Sequence, residues 1–322
     1  MAAKKKTTQL RELFTRTKIF VLPGCSNCFE ARLAQTIGFE AVYMSGGRTS
    51  MGLVGLPDAG FATMTEIVLN ARYMANAVDV PLLSDADTGY GNPLNVYRSV
   101  KEYIRSGVAG IHIEDQVMPK RCGYTAGKQI VELDEAVSRY RAANDARNEL
   151  DPDFVIAGRT DAVGAVGGSL DEAIRRSHAY RKAGADITYI EGLRSMEDIV
   201  YCLERTEKPT MINLYGISTN DLPSHQEMQR MGISCAFYPE MVGLRIVYPV
   251  MWEFLNDFKT RGTTALKEWE SWWNDFPKKY SAAPHFFEIA GIAMVKQLEE
   301  KYLSPKELEK YLVTTGLPFE KK

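Results

Sequence analysis

The sequence is organised around the segment Leu82-Leu83-Ser84-Asp85-Ala86-Asp87-Thr88-Gly89-Tyr90-Gly91-Asn92. Its apolar start is typical of a buried strand, and it ends in two acidic residues one position apart. On an extended backbone, side chains at positions i and i+2 point the same way. Asp85 and Asp87 are therefore predicted to aim two carboxylates at one point, which suits a hard cation such as Mg²⁺. A lone Asp-x-Asp is more often a solvated strand end, so the prediction depends on the rest of the chain.

A second segment repeats the pattern. Ile111-His112-Ile113-Glu114-Asp115-Gln116 is another apolar run that ends in acids, and Lys120-Arg121-Cys122-Gly123 follows it. We expect His112, in the middle of this strand, to be a core residue or to support the site. Positive neighbours lower the pKa of a thiol, and a loop bounded by glycine can move. Cys122 is therefore a candidate for chemistry.

Composition limits the class of protein. The chain has 322 residues, 45% of them hydrophobic and 25% charged, with a net charge of −2, the profile of an ordinary soluble globular protein. Nothing suggests nucleic-acid binding, a membrane span or a signal peptide, so we expect a cytoplasmic protein. Five scattered cysteines argue against a disulfide framework. Cys25 and Cys28 could form a redox pair or half a zinc site, but two ordinary cysteines are favoured because no second pair follows.

Strand and helix patterns alternate eight times along the chain. Apolar, β-rich runs separated by helices predict a parallel sheet, and eight such units predict a (β/α)₈ barrel. The alternative fold, an open doubly wound sheet, would be expected to carry G-x-G-x-x-G after the first strand. Pro23-Gly24-Cys25-Ser26 stands there instead. We expect residues before about 10 to form a loose arm. The predicted strands are residues 18–22, 38–44, 80–84, 108–113, 154–158, 187–190, 210–214 and 234–238.

The domain prediction is a single barrel domain over residues 1–322, with the barrel at about 10–245 and a helical extension at about 246–322. Helices are expected at 241–259, 263–276 and 284–302, more than a barrel needs to close. The second of these carries Trp269, Trp272 and Trp273. This aromatic helix either packs on the outside of the barrel or docks on a neighbouring subunit, and the sequence leaves both possibilities open.

Barrel active sites lie at the carboxyl ends of the strands, and polar groups follow almost every predicted strand here. Carboxylates with Asn213 suggest Mg²⁺ or Mn²⁺ held by oxygen. Ser45-Gly46-Gly47 offers N–H groups to an anion, and Arg159 can hold a carboxylate with two hydrogen bonds. Together these groups predict a site for a small 2-oxo or 2-hydroxy acid, with Cys122 as the acid that protonates a carbanion. The groups at the strand ends are Tyr43, Ser45, Asp85, Asp87, Glu114, Asp115, Arg159, Asp161, Glu191, Asn213 and Glu240.

Five segments together resemble the isocitrate lyase/phosphoenolpyruvate mutase superfamily, over about residues 10–245. The likeness is closest to the methylisocitrate lyase and 2,3-dimethylmalate lyase branch, because phosphonopyruvate mutases and hydrolases lack the cysteine of the fifth segment. The five segments are Ser45-Gly46-Gly47, Gly55-Leu56-Pro57-Asp58, Asp85-Ala86-Asp87-Thr88-Gly89-Tyr90-Gly91, Ile113-Glu114-Asp115-Gln116 and Lys120-Arg121-Cys122-Gly123.

The resemblance implies a barrel whose last helices swap between subunits of a homotetramer. It implies Mg²⁺ at Asp85 and Asp87, with Asp58 and Glu114 in the outer shell. Cys122 would be the general acid on a gating loop, and Tyr43 the base or oxyanion partner. The implied reaction is retro-aldol cleavage of a small 2-hydroxy dicarboxylate to pyruvate or glyoxylate plus a carboxylic acid. The implied substrate contacts are Ser45, Gly46, Gly47, Gly123, Arg159, Glu191 and Asn213.

Two departures bear on the substrate. Tyr124 stands where the family loop usually has histidine, and the segment Ala283-Pro284-His285-Phe286-Phe287 lacks the arginine of methylisocitrate lyases. Arg245 lies near, but not at, the family's other arginine position. A dicarboxylate, or a substrate with an apolar arm, is therefore favoured over a tricarboxylate. The alternatives are oxaloacetate hydrolysis, a P–C bond reaction on phosphonopyruvate, which Cys122 disfavours, and a non-catalytic barrel.

Overall fold

Eight parallel strands close into a barrel in chain order, with β1 paired to β8. The structure, a computed structural model, describes residues 4–279, 284–309 and 311. The (β/α)₈ prediction is confirmed, and most predicted strands differ from the observed ones by one to three residues at an end. The strands are β1 Phe20–Cys25, β2 Val42–Met44, β3 Leu82–Asp85, β4 Gly110–Glu114, β5 Val155–Thr160, β6 Ile187–Ile190, β7 Thr210–Asn213 and β8 Cys235–Tyr238.

Helices surround this barrel. Each of the inter-strand segments carries at least one helix, as the connection between parallel strands requires. The helices of the barrel unit are α1 Lys6–Thr15, α2 Cys28–Ile37, α3 Gly46–Val54, α4 Met64–Ala77, α5 Pro93–Ser106, α6 Leu133–Leu150, α7 Leu170–Lys182, α8 Met196–Arg205 and α9 His225–Met231.

The expectation of a loose N-terminal arm is wrong. Residues from Lys6 onward form α1, whose Leu10 and Phe14 are 0% and 1% exposed. Both pack in the cluster of apolar side chains inside the barrel, with Leu22, Val155 and residues from the other strands. Removing such side chains from water stabilises the fold, and the i, i+4 spacing of the two residues places them on one helix face. The arm is therefore a plug for the barrel.

A short π-helix, Met241–Val247, follows β8 where an ordinary α-helix was expected. Its tight approach to the barrel depends on Gly243, because a Cβ atom there would lie 2.0 Å from Nε of Arg48. Arg48 is buried, pairs with Glu30 at 2.7 Å and donates to the carbonyl of Gly24 at 3.1 Å. The chain after β8 therefore wraps closely over a buried guanidinium.

The chain divides into two compact units, Met1–Pro249 and Val250–Lys322. The second unit is helical in its described part, and the helix expected at 284–302 is broken at Gly291, which has a φ of 92° that suits glycine. Ala283 lies outside the described residues, as does the side chain of Trp273. No helix in the described ranges is long and apolar enough to cross a membrane. The remaining helices are α10 Tyr248–Arg261, α11 Thr263–Lys279, α12 Phe286–Ile289, α13 Ile292–Tyr302 and α14 Pro305–Leu308.

Candidate active site

The first group at the barrel mouth is an acidic cluster, which we define as Asp58, Asp85 and Asp87 with Lys120. Asp85 ends β3, but Asp87 has a left-handed φ of 45°, and its N–H donates to Oδ1 of Asp85 at 2.9 Å. The prediction of an extended backbone at Asp85 and Asp87 is therefore wrong, although both carboxylates lie at the mouth. Aspartate tolerates this backbone conformation better than most residues, and the turn holds both carboxylates at the mouth.

Lys120 supplies the positive charge of the acidic cluster. Its ammonium lies 2.7 Å from Oδ1 of Asp87 and also pairs with Asp58, and its side chain is 1% exposed. Burial disfavours the charged amine, but the surrounding carboxylates, Asp87 first among them, raise the pKa of Lys120 well above its usual value. Burial also raises the pKa of Asp87 to about 6, and Asp85 and Asp58 act in the same direction against Lys120.

Tyr43 and His112 lie beneath Asp85 in the barrel. The Tyr43 hydroxyl is 2.7 Å from Nε2 of His112 and 3.3 Å from Oδ2 of Asp85. Burial lowers the pKa of His112 to about 4 and raises that of Tyr43. The imidazole is therefore neutral at pH 7 and the phenol is protonated. His112 is fully buried and supports the site, as expected.

The Ser45-Gly46-Gly47 turn opens α3, a helix that the sequence analysis missed. Ser45 caps it by accepting from N–H of Arg48 at 3.2 Å, and its hydroxyl donates to Oε1 of Glu240 at 2.6 Å. Cβ atoms at Gly46 and Gly47 would lie 2.6 Å from Oδ2 of Asp85 and 3.2 Å from a side-chain atom of Asp58. A helix N-terminus with unpaired N–H groups, close to the acidic cluster, suits an anion that also contacts a cation.

The second group is an arginine cluster, which we define as Glu114, Arg159, Asp161 and Lys128. Arg159 lies 3.0 Å from Glu114 and donates from Nε to Asp161 at 2.8 Å. Burial opposes the charge of Arg159, but Asp161 and Glu114 outweigh it and raise the pKa of Arg159. The guanidinium is therefore charged and fixed in orientation.

Glu191 and Asn213 complete this side of the mouth. Glu191 follows β6 and accepts hydrogen bonds from the hydroxyl of Tyr189 and from Nδ2 of Asn213, the latter at 3.2 Å. Arg159 lies 5.5 Å from the centroid of the Tyr189 ring. The structure thus brings Arg159, Glu191 and Asn213 together, as the strand ends predicted.

The acid loop, which we define as residues 120–127, lies over these side chains. A Cβ atom at Gly123 would be 3.0 Å from Nη2 of Arg159 and 2.6 Å from Cγ of Glu191. Gln116 exchanges two hydrogen bonds with the backbone of Arg121, at 2.8 and 2.9 Å. Cys122 is half-buried, and burial raises the pKa of its thiol. The expected lowering by positive neighbours is therefore wrong, since Lys120 turns to the acidic cluster and Arg121 is exposed.

Tyr124, which replaces the family histidine, and Arg245 both contact Tyr215. The rings of Tyr124 and Tyr215 pack edge to face with centroids 4.9 Å apart. Arg245 lies 4.8 Å from the centre of the Tyr215 ring and donates to the Tyr215 carbonyl at 2.7 Å. Arg245 is thus engaged by the protein, and the wall beside it is aromatic.

Other cysteines contribute no further site. Cys25, Cys202 and Cys235 are buried, Cys28 is half-buried, and all are free thiols. The C-x-x-C pair is therefore neither a disulfide nor, within the described residues, part of a cluster of three metal-ligating side chains.

Sequence reasoning missed three working contacts: Lys120 with the acidic cluster, Lys128 with Asp161, and Glu240 with Ser45. Lys120 could have been recognised from the sequence, because it lies two residues before Cys122. No signal existed for Lys128, and the strand-end position of Glu240 did not reveal its partner. The partners, Asp161 and Ser45, are 33 and 195 residues away in the chain.

The residues at the mouth fit a divalent cation by their chemistry. The donors are carboxylate oxygens, which hard cations prefer, and neither oxygen of the fully buried Glu114 accepts a hydrogen bond from the described residues. The ammonium of Lys120 already stands as a cation between Asp58 and Asp87. No three of these side chains converge on one point within the described ranges, so a bound ion would require some of them to turn.

A family model described as phosphoenolpyruvate phosphomutase matches residues 10–248, and the chain belongs to this family. The resemblance inferred from the five segments is confirmed. The superfamily is generally dependent on a divalent metal ion.

Relatives of known activity define the class further. The 2,3-dimethylmalate lyase of Eubacterium barkeri is 36% identical over 297 residues, covering 91% of this chain and 97% of that protein. The 2-methylisocitrate lyase of Shewanella oneidensis is 34% identical, covering 83% of this chain and 85% of that protein. A solved structure of oxaloacetate acetylhydrolase with 3,3-difluorooxalacetate is 33% identical, with a TM-score of 0.81, covering 92% of this chain and 97% of that one. The chain is a carbon–carbon lyase of the superfamily.

Proposed function

We propose that this lyase cleaves a small 2-hydroxy dicarboxylate of the alkylmalate kind, giving pyruvate or glyoxylate plus a second carboxylic acid. The observation that carries the proposal is the position of the acid loop. Its Gly123 lies against Arg159 and Glu191, and the thiol beside it keeps its proton because burial raises the pKa. A protonated acid next to an anion-binding arginine is what protonation of a carbanion requires.

In this proposal Mg²⁺, or Mn²⁺, is held by Asp85 and Asp87, with Asp58 and Glu114 acting through water. The ion would supply polarisation of the oxygen on C2 of the substrate. The proposal is supported by the carboxylates of the acidic cluster, two of which already pair with a cation, the ammonium of Lys120.

The protein residues handle two protons. Cleavage removes the proton of the 2-hydroxyl group, breaks the C2–C3 bond and adds a proton to C3. We assign the first proton to the Tyr43 hydroxyl, which can pass its own proton to His112, 2.7 Å away. We assign the second to Cys122. In the alternative role as oxyanion partner, the Tyr43 hydroxyl would donate a hydrogen bond to the oxygen on C2 instead.

Binding is assigned to the two sides of the mouth. The Ser45 hydroxyl and the N–H groups at Gly46 and Gly47 hold the carboxylate next to C2. Arg159 holds the distal carboxylate with Gly123 and Asn213, and Glu191 orients the amide of Asn213. The aromatic wall of Tyr124 and Tyr215 favours an apolar substituent on C3. Because Arg245 is engaged by Tyr215, a third carboxylate has no evident partner among the described residues of the barrel unit.

The test is release of pyruvate or glyoxylate from a panel of alkylmalates, methylisocitrate, isocitrate, oxaloacetate and phosphonopyruvate, with Mg²⁺ or with EDTA. We expect EDTA-sensitive release from an alkylmalate. Cys122→Ser should lower turnover about 10²–10⁴-fold, since it removes the general acid. Strong turnover of methylisocitrate would contradict the argument from the missing arginine.

A second candidate is oxaloacetate hydrolysis, favoured by the similarity to oxaloacetate acetylhydrolase. Oxalate and acetate would then appear in place of pyruvate or glyoxylate. Because this cleavage also leaves a carbanion at C3 that must be protonated to give acetate, Cys122→Ser should slow it too, and the identity of the products distinguishes the two reactions.

We also propose a cytoplasmic homotetramer with swapped C-terminal helices. The second unit supports this, because apolar side chains such as Trp252, Leu255 and Leu298 are 65%, 56% and 46% exposed. Light scattering should give four subunits, and removal of residues 250–322 should abolish the tetramer.

A further inference from the structure

We propose that Lys128 is a positioning residue that clasps the acid loop closed over Arg159, through its contacts with Gly123 and Asp161. The clasp itself is independent of the substrate, while its catalytic meaning rests on the proposed role of Cys122 as acid.

The clasp is built from a buried ammonium. Lys128 is 2% exposed, and its Nζ donates to the carbonyl oxygen of Gly123 at 2.7 Å and to Oδ1 of Asp161 at 3.2 Å. Burying an amine costs several kcal/mol unless it is paired. The carbonyl belongs to the acid loop and lies five residues upstream of Lys128, so the hydrogen bond ties the loop to the residue that follows it, beside Cys122.

The other end of the clasp is fixed to the barrel. Asp161 is fully buried just after β5, and its N–H donates to Oδ1 of Asp115 at 2.9 Å. Burial opposes ionisation of Asp161, but Arg159 and Lys128 outweigh it and hold the pKa of that carboxyl below its usual value. The carbonyl of Lys128 also accepts from N–H of Val166 at 3.0 Å. Lys128 is thus held from both sides.

One carboxylate therefore serves two partners. Asp161 accepts from Nε of Arg159 at 2.8 Å and from Lys128 at 3.2 Å. The arginine assigned to the substrate and the lysine that holds the loop share the same fixed point. This arrangement sets the distance between the bound anion and the thiol, which a proton transfer requires to be constant.

The loop lies against the floor of the mouth and cannot move further in. A Cβ atom on Gly123 would already be too close to Glu191 and Arg159. When the clasp is lost, the loop can move only outward from this contact, which exposes Cys122.

The test measures alkylation of Cys122 by iodoacetamide, followed by peptide mass spectrometry, in Lys128→Met, Lys128→Arg and the native chain. Cys28 in α2 is the internal reference, because it is half-buried and outside the loop. Arg147→Met is the matched control, since Arg147 is a buried cation paired with Asp186 at 2.6 Å on the outer layer.

We expect Lys128→Met to speed Cys122 alkylation about tenfold or more relative to Cys28, the effect of losing a hydrogen bond to a charged donor. Lys128→Arg should restore most of the protection, and Arg147→Met should leave the ratio unchanged. Equal alkylation ratios in Lys128→Met and the native chain would overturn the clasp. So would an equal rise in Arg147→Met, because it would show general loosening.

Turnover supplies the second readout. With a substrate in hand, Lys128→Met should lower kcat about tenfold and change KM less, because loop closure follows binding. An unchanged kcat would overturn the positioning role. If no substrate is turned over by the native chain, the proposed function fails, while the alkylation ratio still decides the clasp.

Discussion

The acidic cluster and the arginine cluster face each other across one barrel mouth but differ in charge balance. The acidic cluster sets three carboxylates against one ammonium, whereas the arginine cluster sets Glu114 and Asp161 against Arg159 and Lys128. A buried excess of negative charge is unfavourable unless a cation joins it. The acidic cluster is therefore incomplete without a further cation, whereas the arginine cluster is already balanced in charge and organised for its ligand.

The largest expected effect comes from removing a carboxylate of the acidic cluster. Asp85→Asn should lower Mg²⁺-dependent turnover about 10³-fold or more, because it removes a proposed direct ligand. The measurement is a Mg²⁺ titration of activity, with calorimetric Mg²⁺ binding beside it.

Asp58→Asn is the matched control for that experiment. As an outer ligand it should cost only about 10–100-fold. Equal losses in the two variants would place Asp85 and Asp58 in the same shell and break the assignment.

The next effect separates the clusters by their need for a cation. Lys120→Met and Arg159→Met each leave buried carboxylates unpaired, which should destabilise the fold by about 3–5 kcal/mol. Mg²⁺ should restore the Tm of Lys120→Met, because the ion can replace the ammonium among the carboxylates. It should not restore Arg159→Met. Thermal unfolding with and without Mg²⁺ checks this, and a Mg²⁺ response shared by both variants would contradict the distinction.

The smallest effect concerns Glu240, which lies beside the acidic cluster and is bonded to Ser45. Burial raises the pKa of Glu240 from 4.5 to about 7. The folded state therefore holds a proton that the unfolded state has lost, so stability is full below about pH 4.5 and falls as pH rises through about 7. The loss is about 3 kcal/mol at most. Glu240→Gln should remove this slope from denaturant unfolding measured at pH 5 to 8, whereas parallel curves for both proteins would rule it out.

The fold was predictable because each buried strand is marked in the sequence by its own short apolar run. Apolar runs such as residues 108–113 and 187–190 stand out between helices, and the closing pair β1 and β8 follows from having eight of them. α1 was missed, although Leu10 and Phe14 have helical spacing, because residues before about 10 were expected to form a loose arm. α3 was missed because two glycines open it.

The gathering of these side chains at the barrel mouth was predictable, but their geometry was not. The strand-end rule located Asp85, Arg159, Glu191 and Asn213 without any knowledge of contacts. The turn at Asp87 and the burial of the Cys122 thiol depend on tertiary packing, which no local pattern contains. The same is true of the Lys128 contacts, since Asp161 is 33 residues away.

The plug formed by α1 has a consequence for biosynthesis. Arg11 donates to Asp186 at 2.9 Å, and Thr7 to Asp151 at 3.0 Å, so α1 binds segments that the ribosome makes far later. At ordinary rates of translation the 175 residues between Arg11 and Asp186 take roughly 10–35 s to appear. Throughout that interval Leu10 and Phe14 lack the barrel interior that buries them. The nascent chain therefore carries a helix with exposed apolar side chains while the barrel is being made, which is a natural target for a chaperone.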